Sequence, residues 1–193
     1  MRNTPVRQRI LDTATRLFYS QGINSTGINQ IIAESRVAKA SFYQYFPSKS
    51  DLILCTLQEY DATIAEVLRR MSRRSGSVSE FFKKWTRLIK KNAGGSTSFY
   101  GCPLANMGFQ VNPNESPLTE RFNEIIDGWF AILSPLFEKS VALGEIEESV
   151  DLQLLFGRIF AANEGALIMW RMTGKKEHLD NIYPGILNLL KQR

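Results

Sequence analysis

The chain has 193 residues, 44% of them hydrophobic, with 24 Lys plus Arg against 19 Asp plus Glu, one histidine and two cysteines. That supports a packed core, as one domain or as a small head on a larger body, and no repeat or disordered tract interrupts it. The N-terminus lacks an apolar signal region, and the longest near-apolar run, Trp129 to Phe137, falls far short of the roughly 20 residues of a spanning helix, so a cytosolic protein is expected.

Helical periodicity runs almost throughout, and Val, Ile and Thr never alternate long enough for a strand. Thr4 can cap and Pro5 can open a first helix, whose Ile10, Ala14, Leu17 and Phe18 share a face before Gly22 ends it. Ile28, Ile31 and Ile32 recur at helical intervals in a short second helix, which buries one face as a scaffold. After a turn at Ser35 to Ala38, the segment from Lys39 to Tyr45 sets Lys39, Ser41, Gln44 and Tyr45 among apolar Val37, Phe42 and Phe46, one face packed and the other outward. The outward face suits a DNA groove: lysine reaches phosphate or guanine, glutamine can pair with adenine, and hydroxyls serve either. Pro47 then stops the helix and Ser48 can cap the next. Lys49 stands at that helix's positive end, where a backbone phosphate could bind.

Charge follows the same division. Residues 1 to 50 hold seven basic and two acidic side chains, an excess of five that equals that of the whole chain. A positive N-terminal unit on a neutral body is the footprint of a DNA-binding head. The later basic cluster, Arg69 to Arg74 and Lys83 to Lys91, reads as solvated helix surface.

The run Tyr43, Gln44, Tyr45, Phe46, Pro47, Ser48, Lys49, Ser50, Asp51, Leu52 resembles the DNA-binding signature of the TetR family of transcriptional repressors, over about residues 5 to 55. Two positions depart from it. Arg36 stands where the family usually has Gly, in a turn that needs positive φ, and Ala38 stands where it has a Ser or Thr cap; each costs on the order of 1 kcal/mol. The resemblance implies an all-α fold. Residues 1–48 would form a three-helix helix-turn-helix domain, and 49–193 a helical ligand-binding and dimerisation body, linked by the helix that starts near Lys49. The DNA-contacting set is Thr26, Arg36, Lys39, Ala40, Ser41, Tyr43, Gln44, Tyr45 and Lys49.

In the body, a long helix from about Lys49 past Met71 turns Leu52, Leu57, Tyr60, Ile64 and Leu68 inward. Ser75 to Ser77 break the chain, a helix follows with Phe81, Phe82, Trp85, Leu88 and Ile89, and Asn92 to Pro103 reads as loop. Ser116 and Pro117 open another long helix with a kink expected at Pro135, and Gly144 ends it. Asp151 caps a helix to about Thr173, and a last one spans roughly His178 to Lys191, bent at Pro184.

On the Asp151 helix, Phe156, Phe160, Asn163, Leu167 and Trp170 fall on one line, while Gly157, Ala161, Gly165, Ile168 and Met172 fall on another. Small residues four apart admit a second helix closely, so the latter line, with Ile186 and Leu190, is the expected dimer interface of a four-helix arrangement. The former line would enclose an apolar ligand pocket: Trp85, Phe99, Cys102, Met107, Trp129, Phe160, Asn163, Leu167 and Trp170. Cys102, just ahead of a Pro-opened helix, is a candidate for attack by electrophiles, although no base is evident beside it.

The function expected is a dimeric regulator that binds a palindromic DNA operator, most simply as a repressor, and is released by a small apolar or electrophilic effector. The alternative is an architectural DNA binder without an effector. An enzyme is disfavoured, since His178 lies near the C-terminus and no catalytic set is apparent. Cys55 and Cys102 lack ligand spacing, so neither a metal nor a cofactor is expected.

Overall fold

The computed structural model describes residues 5–95, 99–112, 114 and 116–191. The expected cap at Thr4 lies outside them. Among the described residues every regular element is helical, in the order α1 (Val6–Gln21), α2 (Ile28–Ser35), α3 (Lys39–Tyr45), α4 (Lys49–Arg73), α5 (Val78–Gly95), α6 (Pro103–Gly108), α7 (Ser116–Ala142), α8 (Leu152–Thr173), α9 (Glu177–Asp180) and α10 (Ile182–Leu190). None is long and apolar enough to cross a membrane. The chain forms two compact units, Met1–Thr63 with Pro103–Glu124, and Ile64–Cys102 with Ile125–Arg193. The unit border thus falls inside α4 and again inside α7.

In the first unit, α1 buries Ile10, Leu11, Ala14, Leu17 and Phe18, and its ladder stops at Gly22, whose φ of +92° needs a residue without Cβ. Helices α2 and α3 pack on α1. An exposed ion pair from Arg16 to Glu34 (2.5 Å) also joins α1 to α2. Gln110, just beyond α6, accepts from the Asn24 amide (3.1 Å), and its own carbonyl accepts from Asn24 Nδ2 (3.3 Å). Arg121 of α7 holds Asp61 of α4 at 2.9 Å.

In the second unit the Val78 amide opens α5 by donating to the wholly buried Ser140 hydroxyl (2.8 Å). Helix α5 runs to Gly95, so the loop expected from Asn92 starts later: the glycines cost the last turn only about 1 kcal/mol each, too little to stop it. Helix α7 continues through Pro135. Asp151 caps α8 by accepting from the Leu154 amide (3.0 Å), and Gly174, at φ +70°, closes it. The single bent helix expected after His178 is two helices, α9 and α10, that break at Asn181. Pro184 falls in the first turn of α10, where no intrahelical N–H is required, so the helix begins anew ahead of it.

Helix α10 packs on α8 and α5 with Ile186 fully buried and Leu190 at 4% exposure. The assignment of Ile186 and Leu190 to a dimer interface is therefore corrected: both side chains fill the core of their own protomer and offer no surface to a second.

Candidate functional site: a groove-reading helix and a buried polar cluster

Helices α2 and α3 meet at Arg36, which adopts φ +54°, ψ +48° and is the only non-glycine residue of positive φ among those described. The left-handed turn foreseen there exists. Its Cβ strain is of the order of 1 kcal/mol, so Arg36→Gly is expected to raise unfolding stability by about that amount, read as a shifted urea midpoint at constant slope. Ala38 precedes α3 in extended conformation with no side-chain cap.

Phe42 and Phe46 are buried, with ring centroids 6.2 Å apart, and fix α3 to the unit. Arg36, Lys39, Ala40, Tyr43, Gln44 and Tyr45 are exposed and Ser41 is half-buried. Tyr43 and Tyr45 keep 42% and 43% of their surface, a high value for rings on so short a helix. At the start of α4 the Ser48 amide and hydroxyl both donate to Asp51 Oδ2 (3.0 and 2.7 Å), while the Asp51 amide donates to Ser48 Oγ (3.1 Å). This reciprocal cap fixes the turn that carries Lys49, whose ammonium is drawn below the usual lysine range by partial burial. An incompletely hydrated cation gains more from an anion than a fully solvated one does.

Thr26 does not belong with these residues. Its side chain is wholly buried, donates to the Gly22 carbonyl (2.6 Å) and accepts from Gln21 Nε2 (3.2 Å), so its hydroxyl closes the α1–α2 turn.

The first unit also contains a half-open cleft of about 310 Å³ between α1, α4 and α6, lined by residues that include Tyr19, Tyr60, Thr56, Pro103 and Met107. Gln8 Nε2 bridges two of its acids, donating to Asp12 (2.9 Å) and Glu59 (3.2 Å). Met107 is buried here, with Sδ 4.0 Å from the Thr56 hydroxyl. It therefore belongs to the first unit and leaves the pocket set proposed for the body. No sequence pattern announced this cleft, because its walls come from three helices distant in the chain.

In the second unit the two lines of α8 separate as their spacing predicts. Leu155, Phe156, Ile159, Asn163 and Leu167 are buried. Gly157, Ala161 and Gly165 are exposed, Ile168 is half-buried, and Met172 keeps 75% of its surface, flanked by exposed Leu154 and Met169. A Cβ added at Gly157 or Gly165 would meet nothing within 4 Å.

The segment before α6 runs down one side of α8 in helical-turn steps. Phe99 packs on Trp170 (centroids 5.5 Å), and the Tyr100 carbonyl accepts from Arg171 (3.0 Å), whose guanidinium lies 5.7 Å from the Tyr100 ring centre. Gly101, at φ +90°, brings its backbone against Leu167, and Cys102 hydrogen-bonds Glu164. Trp129 meets Phe160 edge-on at 5.9 Å. Trp85 stacks on Phe81 of its own helix at 6.3 Å.

Glu164 was missed in the sequence, and it supplies a carboxyl beside Cys102 where no base had been evident. The signal was present: Glu164 is an acid one step from Asn163 on an otherwise apolar stretch of α8. Burial pushes its carboxyl up to about 7, against the lowering effect of hydrogen bonds from Asn163 and Cys102. Asn163 Nδ2 donates to Glu164 Oε1 (3.2 Å), while Asn163 Oδ1 and Glu164 Oε2 are buried without a hydrogen-bond partner among the described residues. No group of acids, cysteines and histidines suited to a metal occurs among the described residues.

Comparison with known proteins agrees with this anatomy. Residues 10–55 match the model of bacterial regulatory proteins of the tetR family, and residues 77–186 match the tetracyclin repressor-like C-terminal domain. The chain is similar to the fatty acid metabolism regulator protein of Bacillus subtilis, 22% identical over 96% of this chain and 94% of that one. It is also similar to the transcriptional repressor DhaR of a Mycobacterium species, 24% identical over 98% and 94% respectively. A solved TetR regulatory protein from Rhodobacter sphaeroides superposes with a TM-score of 0.82 at 20% identity, covering 95% of this chain and 98% of that one.

Proposed function

Because the chain belongs to the TetR family of bacterial transcriptional regulators, we propose that it is a ligand-responsive repressor. In this reading residues 1–48 bind DNA and 49–193 bind the effector and a second copy of the chain. The observation that carries it is α3: a seven-residue helix whose two phenylalanines are buried while Lys39, Tyr43, Gln44 and Tyr45 face outward, beside a capped turn bearing Lys49. One such helix has little specificity; two held about one DNA turn apart by a dimer read an inverted repeat. The exposed small-residue line of α8 supports the pairing. A footprint confined to a palindrome tests this reading, and uniform coating of any duplex would replace it with the architectural one, which nothing else favours.

Lys49 contributes charge and Gln44 contributes base choice. Lys49→Ala should weaken binding to all duplexes alike and reduce the salt slope by roughly one unit, whereas Gln44→Ala should relax sequence discrimination. Filter binding across a salt series with cognate and scrambled duplexes separates the two, and an altered base preference in Lys49→Ala reverses its assignment.

The effector is apolar or electrophilic. Aromatic contacts between Trp129 and Phe160 and between Phe99 and Trp170 support an apolar one. For an electrophile, Glu164 would take the Cys102 proton as sulfur forms its new bond. Occupation of the body would shift the equilibrium between head spacings, which lowers operator affinity only insofar as the effector binds one spacing better than the other.

A further inference from the structure

Two acceptor atoms at the centre of α8 stand buried and unused. Asn163 is at 4% exposure, and among the described residues neither Asn163 Oδ1 nor Glu164 Oε2 has a hydrogen-bond partner. Leaving such atoms unmet costs on the order of 1–3 kcal/mol each, so a folded chain that retains two side by side has another use for them. They are close together, because Asn163 Nδ2 already donates to Glu164 Oε1 at 3.2 Å. Asn163 Oδ1 accepts at any pH and Glu164 Oε2 accepts once the carboxyl ionises, so an occupant of the ionised pair must bring donors.

The geometry points to Asn163 Oδ1 and Glu164 Oε2 as the docking pair for a primary ammonium group carried on a compact aromatic effector. This rests on the reading that the helical body takes the effector, and names its chemical class. An ammonium has three N–H donors and no acceptor, which matches two orphan acceptors where an alcohol, with one donor, would meet only one. The surroundings suit the remainder of such a molecule. Phe160 lies one helical turn before Glu164, with Trp129 edge-on against it, and Leu167 one turn after. Ring faces add attraction for a cation and bury an aromatic body. The Glu164 carboxyl is hydrogen-bonded by the Asn163 amide and the Cys102 thiol, and burial rather than a charged side chain sets the direction of its shift. Below about pH 7 the carboxyl holds its own proton, and an arriving cation favours loss of that proton and the ionised form.

Three probes of nearly one shape decide the matter: naphthylmethylamine, naphthylmethanol and naphthylacetate, titrated calorimetrically into the full-length protein. The amine is expected to bind at least tenfold more tightly than the alcohol and more tightly still than the acetate, and Glu164→Gln to remove that order. Equal or tighter binding of the alcohol or acetate, no binding by any of the three, or an unchanged preference in folded Glu164→Gln overturns the assignment. The wild-type comparison decides it even where the variant fails to fold. Operator footprinting on the same protein keeps the two readings apart: a palindromic footprint released by an uncharged compound leaves the regulator standing and removes only the cation.

Discussion

Gly165→Leu is expected to yield a monomer in sedimentation experiments and to lower operator affinity by a hundredfold or more, the order of loss when one of two half-sites is no longer held. The expectation comes from what surrounds the glycine. A Cβ built there meets no atom of its own protomer within 4 Å, so a larger side chain extends into open space. Within one protomer the change is harmless, because leucine favours a helix over glycine by nearly 1 kcal/mol. Only a closely approaching second helix can register it. Helical circular dichroism should therefore stay at the wild-type value while the sedimentation coefficient falls, and melting should drop only by the coupling that the lost dimer supplied and cease to depend on protein concentration. A persistent dimer would move the interface off the line of Gly157, Ala161 and Gly165.

Stability should decline by about 3 kcal/mol between pH 4.5 and 8, and Glu164→Gln should abolish that decline. The carboxyl titrates at 4.5 in a solvated chain and near 7 when buried on α8. As pH rises past 4.5 the unfolded chain gives up this proton while the folded one keeps it. Folding then loses ground with each unit until the folded group also ionises, and the loss levels off above 7. Glu34 and Glu80, lowered by hydrogen bonds from Arg16 and Lys84 respectively, and Glu145, also lowered, act in the opposite sense, but their change fades within about a unit above 4.5 and touches only the acid edge of this window. Denaturant midpoints at closely spaced pH values measure the effect. A flat wild-type profile would mean that the carboxyl is solvated.

What could be read from the chain depended on how local the determining forces are. The Ser48–Asp51 cap and the left-handed Arg36 turn are set by neighbours within four residues, and both stand as their sequence implies. The two lines of α8 follow from a 100° step alone. Burial is different, because a neighbour far along the chain decides it. Ile186 and Leu190 looked like seam residues until α8 and α5 of the same protomer covered them, whereas Thr26 is claimed by the Gly22 carbonyl only four residues back, a local bond that its residue type alone did not announce. Met107 shares its apolar character with the body's aromatic residues but resides in the other unit. Glu164 escaped notice because a carboxylate on a helix is ordinarily solvated, and only the Phe99–Cys102 segment beside α8 reveals otherwise.

That segment makes its contacts one α8 side chain at a time, through Trp170, Arg171, Leu167 and Glu164. Each contact is small alone, so the segment's hold on α8 is the sum of four local ones and does not depend on the helix's own backbone ladder. Amide exchange at Tyr100, Gly101 and Cys102 then becomes a local gauge of occupancy, slowing when a guest steadies Glu164 and quickening when one displaces the thiol.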